Sequence, residues 1–421
     1  MNGNIIIKNA SQLVTCSGFH AKQGKEMSDL HIIDDGAVIV ERGLIKAVGK
    51  TGEVLTKFNE SNADHAEFRI IDAQGKAVLP GFVDSHTHFV FGGYRAEEFS
   101  WRLRGDSYME IMNRGGGIHN SVKATREASK EELIKSGAKR LDSMLSFGVT
   151  TVEGKSGYGL DHDTEIKQLE VMEDIDKIHP VDIAGTFLGA HAVPADYKGR
   201  EDEFIDYIIN WIMPEVADRN LAEFCDIFCE ESVFSIEQSR RLLLKAKDMG
   251  LKIKFHADEI VRLGGAELAA ELGAVSADHL LRASDKGIRN MAEAGVVATL
   301  LPGTAFSLKE PYARGRFMID NNCAVALATD LNPGSCFTES IPLIFSLATL
   351  YMNISPEEAV TAFTINGAAA IDRADTVGSI DKGKKGDLVI LEFPSYKYIP
   401  YHIGVNSAET VIKNGTVVCE K

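Results

Sequence analysis

A chain of 421 residues is long enough to bury a sizeable core and exceeds the usual size of a single domain. With 44% apolar and 25% charged residues it has the composition of a folded globular protein, which excludes extensive disorder. The net charge of −16 argues against nucleic acid and anionic membrane surfaces as partners, and six scattered cysteines argue against a disulfide framework.

The first 78 residues read as short strands: NIIIKNASQLVT, then GAVIVERGLIKAVG turning at Arg42-Gly43, then FRIIDAQGKAVL. No basic leader followed by a long apolar segment opens the chain. The most apolar run, IPLIFSLATLYM, is too short to span a bilayer, so a cytoplasmic location is expected. The C-terminal end repeats the β pattern in GDLVILEF and ETVIKNGTVVCE, the latter turning on Asn414-Gly415. Residues 1–78 and 379–421 are therefore expected to build one composite β-sandwich domain.

Residues 79–378 alternate instead. Apolar, β-branched runs recur at LPGFVDSHTH, GVTTVEGK, DIAGTFLGA, EFCDIFCE, KIKFHADE, SADHL, GVVATLLPG and CAVALATD. Stretches of helical composition separate most of them; in SKEELIKSGAKRLDSMLSFG, Leu133, Leu141 and Leu145 recur at roughly helical spacing. Strand and helix alternating eight times is the pattern of a (β/α)8 TIM-like barrel, whose functional residues lie at the C-terminal ends of its strands. Cys225 and Cys229 are the one close cysteine pair; with no second pair to complete a zinc cage, they read as strand packing.

The strand ends are rich in polar residues. His86 and His88 close the first strand, and because side chains alternate along a strand they face the same way. Glu153 and Lys155 end the second, His191 follows the third, and Glu230-Glu231 close the fourth. His256 and Glu259 end the fifth, Asp278-His279 fall in the sixth, and Asp330 ends the eighth. Five of the twelve histidines thus gather on one rim, which scattered core histidines would not do. Imidazoles and a carboxylate suit zinc or a similar first-row metal, and His86, His88, His256 and Asp330 supply such a set. An ion held there can lower the pKa of its water from about 15.7 to roughly 7. Glu259 is then placed as general base, and His279 to polarise a substrate oxygen. Gly115-Gly116-Gly117 lacks the Lys-Ser/Thr of a phosphate loop and reads as a rim loop.

These segments, with the closing GSIDKGKKGDLVIL, resemble the amidohydrolase superfamily. FGGYRAEEF, EGKSGYGL, FLGAHAVP and LATDLNPGS resemble one branch, which hydrolyses the ring of 4-imidazolone-5-propanoate to N-formimino-L-glutamate in histidine degradation. The resemblance implies one zinc or iron ion per subunit on His86, His88, His256 and Asp330, a cytoplasmic homodimer and a small-molecule substrate. It places substrate contacts on Arg95, Tyr158, His191, Glu259, Asn332, Gly334 and Ser335, and proton transfer and polarisation on Glu259, His279 and Asp330. Binuclear members often carry a bridging lysine at the end of the fourth strand; here EFCDIFCEES has none, which favours one ion over a second bridged by Cys229, Glu230 or Glu231. Each contact has a plainer alternative. Arg95 can pair with Glu97 or Glu98, Tyr158 can be a core aromatic, His191 an ordinary buried histidine, and Asn332–Ser335 a tight turn. The nearest alternative activity is an aminohydrolase deaminating a nitrogen heterocycle; the alternative without chemistry is a scaffold on the same barrel.

Overall fold

The structure is a computed structural model and describes residues 3–61, 68–106, 110 and 116–421. Gly115, the first residue of the glycine run, lies outside the described residues.

From the N-terminus the strands are β1 (Ile5–Val14), β2 (Ile32–Glu41), β3 (Leu44–Lys50), β4 (Arg69–Asp72) and β5 (Ala77–Pro80). Then follow β6 (Phe82–Asp84), β7 (Val149–Lys155), β8 (Asp182–Ala190), β9 (Phe224–Cys229), β10 (Lys252–Ala257), β11 (Ser276–His279), β12 (Val297–Leu300) and β13 (Val325–Leu327). The chain closes with β14 (Leu388–Leu391), β15 (Ala408–Lys413) and β16 (Thr416–Glu420). Both ends share one mixed sheet, ordered β16-β15-β14-β5-β1-β2-β3 with β4 on β1. Its two hairpins turn where the sequence signals a turn. Arg42-Gly43 (φ 52° and 81°) and Asn414-Gly415 (φ 49° and 68°) take the paired left-handed conformations that match strand twist.

Strands β6 to β13 form a second sheet in simple chain order, every pair parallel. Helices lie between successive strands. The one over Lys130–Ser146 buries Leu133, Leu141 and Leu145, and Ser129 and Glu132 cap its start reciprocally. The barrel closes beyond the last residues of its outer strands: His88 N–H donates to the Leu331 carbonyl (2.9 Å) and Asp330 N–H to that of His86 (3.0 Å). Asp84 fastens the same seam, accepting from the Thr329 amide (3.0 Å) and hydroxyl (2.6 Å).

One strand differs from the sequence reading. LPGFVDSHTH is not continuous: Leu79 and Pro80 pair with β14 in the terminal sheet, and the chain crosses to the barrel at Gly81. A Cβ there would lie 2.2 Å from Thr150 Oγ1, so only glycine lets the chain pass. His86 and His88 consequently stand beyond β6, held by the closing bonds rather than by strand register.

Candidate metal centre and its mouth

The barrel's C-terminal end is built in two layers. The lower is a buried charge network. Lys155, at the tip of β7, pairs with Glu153 (2.8 Å) and with Asp226 on β9 (2.7 Å), and its Nζ lies 3.5 Å from Asp278 on β11. Lys254 on β10 meets Glu153 at 3.1 Å and donates to the carbonyls of Ser85 (3.2 Å) and Ala370 (2.9 Å). All five charged side chains are fully buried. Burial opposes charge at both Asp226 and Lys155, but mutual attraction prevails. It holds Asp226, also facing His256, far below the usual carboxylate range and raises Lys155.

This network orients the layer above. Asp278 Oδ2 lies 2.6 Å from His86 Nδ1, and Asp226 Oδ2 lies 2.9 Å from His256 Nδ1. Each carboxylate thereby keeps the Nδ1–H tautomer and turns the Nε2 lone pair into the mouth. Both Nε2 atoms are buried without a protein partner. His86 Nε2 and His88 Nε2 approach Asp330 Oδ1 at 3.6 and 3.7 Å. Thr304 donates to the other oxygen, Oδ2, at 2.5 Å, leaving Oδ1 facing the imidazoles. Burial, then the Lys155 charge, pushes His86 well below its ordinary pKa; burial, then His191, does the same to His88. Burial opposes charge on His256, but the facing Asp226 raises its pKa. Imidazoles and a carboxylate converging in a buried space, with the Nε2 atoms of His86 and His256 unmatched, form a cation site in charge and donor type. His86, His88 and Asp330 offer ligand atoms within 4.8 Å of one another, as do His86, His256 and His279. Among the described residues, no metal-competent group includes Cys229, Glu230 or Glu231. Glu230 is engaged instead: it accepts from the amides of Glu231 (2.9 Å), Ile260 (2.8 Å) and Val261 (3.2 Å), pinning the loop that carries Glu259.

The turn before Glu259 is held equally firmly. Asp258 (φ 50°) accepts from four successive amides, Leu263 to Ala266, which offsets its left-handed backbone. Glu259 Oε1 lies 3.6 Å from His279 Nδ1. Burial, reinforced by Asp330, pushes Glu259 up to about 8, and burial pushes Asp330 up to about 6. His279 (φ 73°), the adjoining Leu280 (φ 60°) and Asp330 (φ 52°) also hold left-handed backbone, as does Leu160 (φ 53°) in the Tyr158 loop.

The remaining sequence-derived residues line the other side. Tyr158 is buried, edge-on to His88 (5.7 Å) and His191 (5.3 Å), and His191 stacks on His88 at 5.0 Å. His191 Nδ1 lies 3.0 Å from the Gly157 carbonyl, and burial lowers its pKa to about 3. Glu165 clamps the Tyr158 loop by accepting from the amides of Gly157 (3.0 Å), Gly159 and Leu160 (both 2.8 Å). Asn332 works within its own turn: its amide group donates to the Asp330 carbonyl (2.7 Å) and Ser335 Oγ (2.9 Å), and its oxygen accepts from the amides of Gly334 (2.9 Å) and Ser335 (2.8 Å). Arg95 does pair with Glu98 (2.7 Å), yet only through Nε, and its Nη1 packs on Gly334.

Residues 77–418 match the model of the amidohydrolase family. The chain belongs to the amidohydrolase family. Two similar relatives are the imidazolonepropionases of Clostridium tetani, 66% identical and covering 100% of this chain and 99% of that one, and of Parabacteroides distasonis, 60% identical over 98% of each. Among solved structures, a zinc-bound adenosine deaminase from Xanthomonas campestris matches with a TM-score of 0.70 at 18% identity, covering 99% of this chain and 93% of that one. A triazine hydrolase variant matches with a TM-score of 0.76 at 15% identity, covering 99% and 95%. At those identities the likeness is one of fold. Within this amidohydrolase, sequence reasoning did not find the roles of Asp226, Lys254, Thr304, Glu165 or Glu98. Asp226 and Lys254 read as interruptions of apolar strands, and that irregularity is the only signal the sequence carries for them.

Proposed function

We propose that this chain is a cytoplasmic imidazolonepropionase. It would hydrolyse the ring C–N bond of 4-imidazolone-5-propanoate to N-formimino-L-glutamate, using one zinc or iron ion per subunit. The observation that carries this reading is the pairing, in one mouth, of the His86, His88, His256 and Asp330 donor set with a guanidinium at Arg95. A cation site alone fits any amidohydrolase; a fixed guanidinium fits a substrate whose arm ends in a carboxylate.

His86, His88, His256 and Asp330 would hold the ion. When bound, it supplies an acidified water and a positive centre for the carbonyl oxygen. Glu259 takes the proton of the attacking water and returns it to the departing ring nitrogen, so water is added across the broken C–N bond. His279, a neutral imidazole at this burial, offers a ring N–H to the oxyanion. Arg95 binds the propanoate, and Tyr158, kept protonated by burial, donates its hydroxyl to the substrate. His191 faces the ring, while Asn332, Gly334 and Ser335 shape the turn against which it sits. Residues 79–378 carry the chemistry, and 1–78 with 379–421 support it.

A homodimer has a candidate face. Leu350 and Tyr351 are exposed on one helix, and Tyr401, Ile403 and Val405 on the neighbouring segment, joined through Ser346 Oγ to the Pro400 carbonyl at 3.4 Å. Sedimentation of the purified protein tests this; a monomer at micromolar concentration contradicts it. For the activity, incubation with 4-imidazolone-5-propanoate is expected to remove its ultraviolet absorbance and yield formiminoglutamate without ammonia. Ammonia release from a heterocycle, with the imidazolone untouched, would instead support the aminohydrolase reading.

A further inference from the structure

Glu98 lies outside the cluster of imidazoles, in the helix Ala96–Leu103, where a glutamate on a rim would ordinarily face solvent. Here its side chain is 6% exposed and its partner Arg95 18%. The carboxylate gathers three donors from two segments. Oε2 accepts from Arg95 Nε (2.7 Å) and from the amide of Gly117 (2.8 Å), and Oε1 accepts from Asn120 Nδ2 (2.9 Å). Gly117 and Asn120 belong to the start of the helix Ile118–Glu127, so Glu98 ties that helix to the segment carrying the arginine.

A guanidinium is planar and rigid; holding its Nε edge fixes the direction of the two Nη groups. The Nη end lies against Gly334, where a Cβ would stand 2.1 Å from Nη1. The side chain is therefore located from both sides, by a buried carboxylate behind and by a bare backbone in front. The buried Tyr158, whose ring stands edge-on to His88, lies close enough to Arg95 for the guanidinium charge to act on its hydroxyl. Among the described residues neither Nη group has a hydrogen-bond acceptor, and Nη1 lies at the Asn332–Ser335 turn that follows Asp330.

We infer that Glu98 is a positioning residue that aims the Arg95 fork at the carboxylate of the substrate's arm, and so sets the selectivity for an acidic arm. This inference rests on the proposed reading of Arg95 as the carboxylate-binding group. A purely structural clamp would affect every substrate alike; a residue that aims Arg95 affects only substrates with a carboxylate to receive.

The test compares Glu98→Gln, Arg95→Gln and the unaltered enzyme, metal-loaded, on 4-imidazolone-5-propanoate and on its neutral analogue with the arm as a primary amide. Glu98→Gln is expected to lose about tenfold in kcat/KM on the acid, mostly through KM, and to stay within about twofold of the unaltered enzyme on the amide. Arg95→Gln should show the same selectivity with a larger loss. Equal losses on both substrates, or no loss on either, in Glu98→Gln while Arg95→Gln discriminates would overturn the role of Glu98 alone. If Arg95→Gln fails to discriminate, the carboxylate reading of Arg95 falls, and the role of Glu98 falls with it. Should Glu98→Gln not fold, Asn120→Ala removes one of the donors that anchor Glu98. It is expected to raise KM for the acid only, by about two- to fivefold, and an unchanged KM overturns the inference.

Discussion

The two layers of the barrel mouth use buried polar side chains to opposite ends. Below, Glu153, Lys155, Asp226, Lys254 and Asp278 close their charges on one another, without exposure to water. Above, His86 and His256 leave Nε2 lone pairs buried and unmatched, and Asp330 turns one oxygen toward His86 and His88. Buried polarity that is satisfied internally orients; buried polarity left open awaits a ligand. The difference separates residues that aim from residues that bind.

Four substitutions break or sharpen this division. The largest effect is expected from Glu259→Gln in the upper layer, which should keep the metal and lose roughly 10²–10⁴ in kcat; near-normal turnover in steady-state assays would remove Glu259 from proton transfer. In the lower layer, Lys155→Met leaves buried carboxylates uncompensated and should cost about 3–5 kcal/mol of stability by denaturant unfolding. An unchanged unfolding midpoint would mean that the network is not coupled. Arg95→Ala belongs to the upper layer and should lose roughly 1.5–3 kcal/mol in transition-state binding, about ten- to more than a hundredfold in kcat/KM. The smallest effect should come from outside both layers. Ser235→Ala removes the cap of the helix Ile236–Asp248 and should cost about 1 kcal/mol of stability with kcat unchanged.

The pH profile probes the upper layer without mutation. Burial raises Glu259 from 4.5 to about 8, while a cation beside it favours the charged form and opposes that rise. A base acts when deprotonated, so kcat/KM should climb with pH, with the midpoint of its acid limb between those two values. A limb that survives Glu259→Gln unchanged would assign it to another group.

The upper layer was largely legible in the sequence because its residues cluster at the ends of apolar runs, and eight such runs fix a rim. His256 and His279 lie in β10 and β11 as those runs imply. His86, His88 and Asp330 reach the same place by another route, past their strands, where the closing backbone bonds hold them. The lower layer was not legible. Lys155 and Glu153 stand out at a strand tip, but their partners are on β9, β10 and β11, and no local pattern states which strands will be neighbours in space. The Arg95–Glu98 pair was visible in the sequence only as one of two alternatives, an ion pair with Glu97 or Glu98. Its burial, the donors from Gly117 and Asn120 and the approach of Gly334 all come from distant segments, so its aiming role was not.

The central claim is that the open lone pairs of the upper layer hold one catalytic ion. It is tested most directly by removing metal with a chelator, titrating zinc or iron back, and following loss of 4-imidazolone-5-propanoate absorbance against bound metal. Activity should vanish with the metal and return linearly, reaching its maximum at one ion per chain. Full turnover by the metal-free protein, or a maximum reached only at two ions, would contradict it.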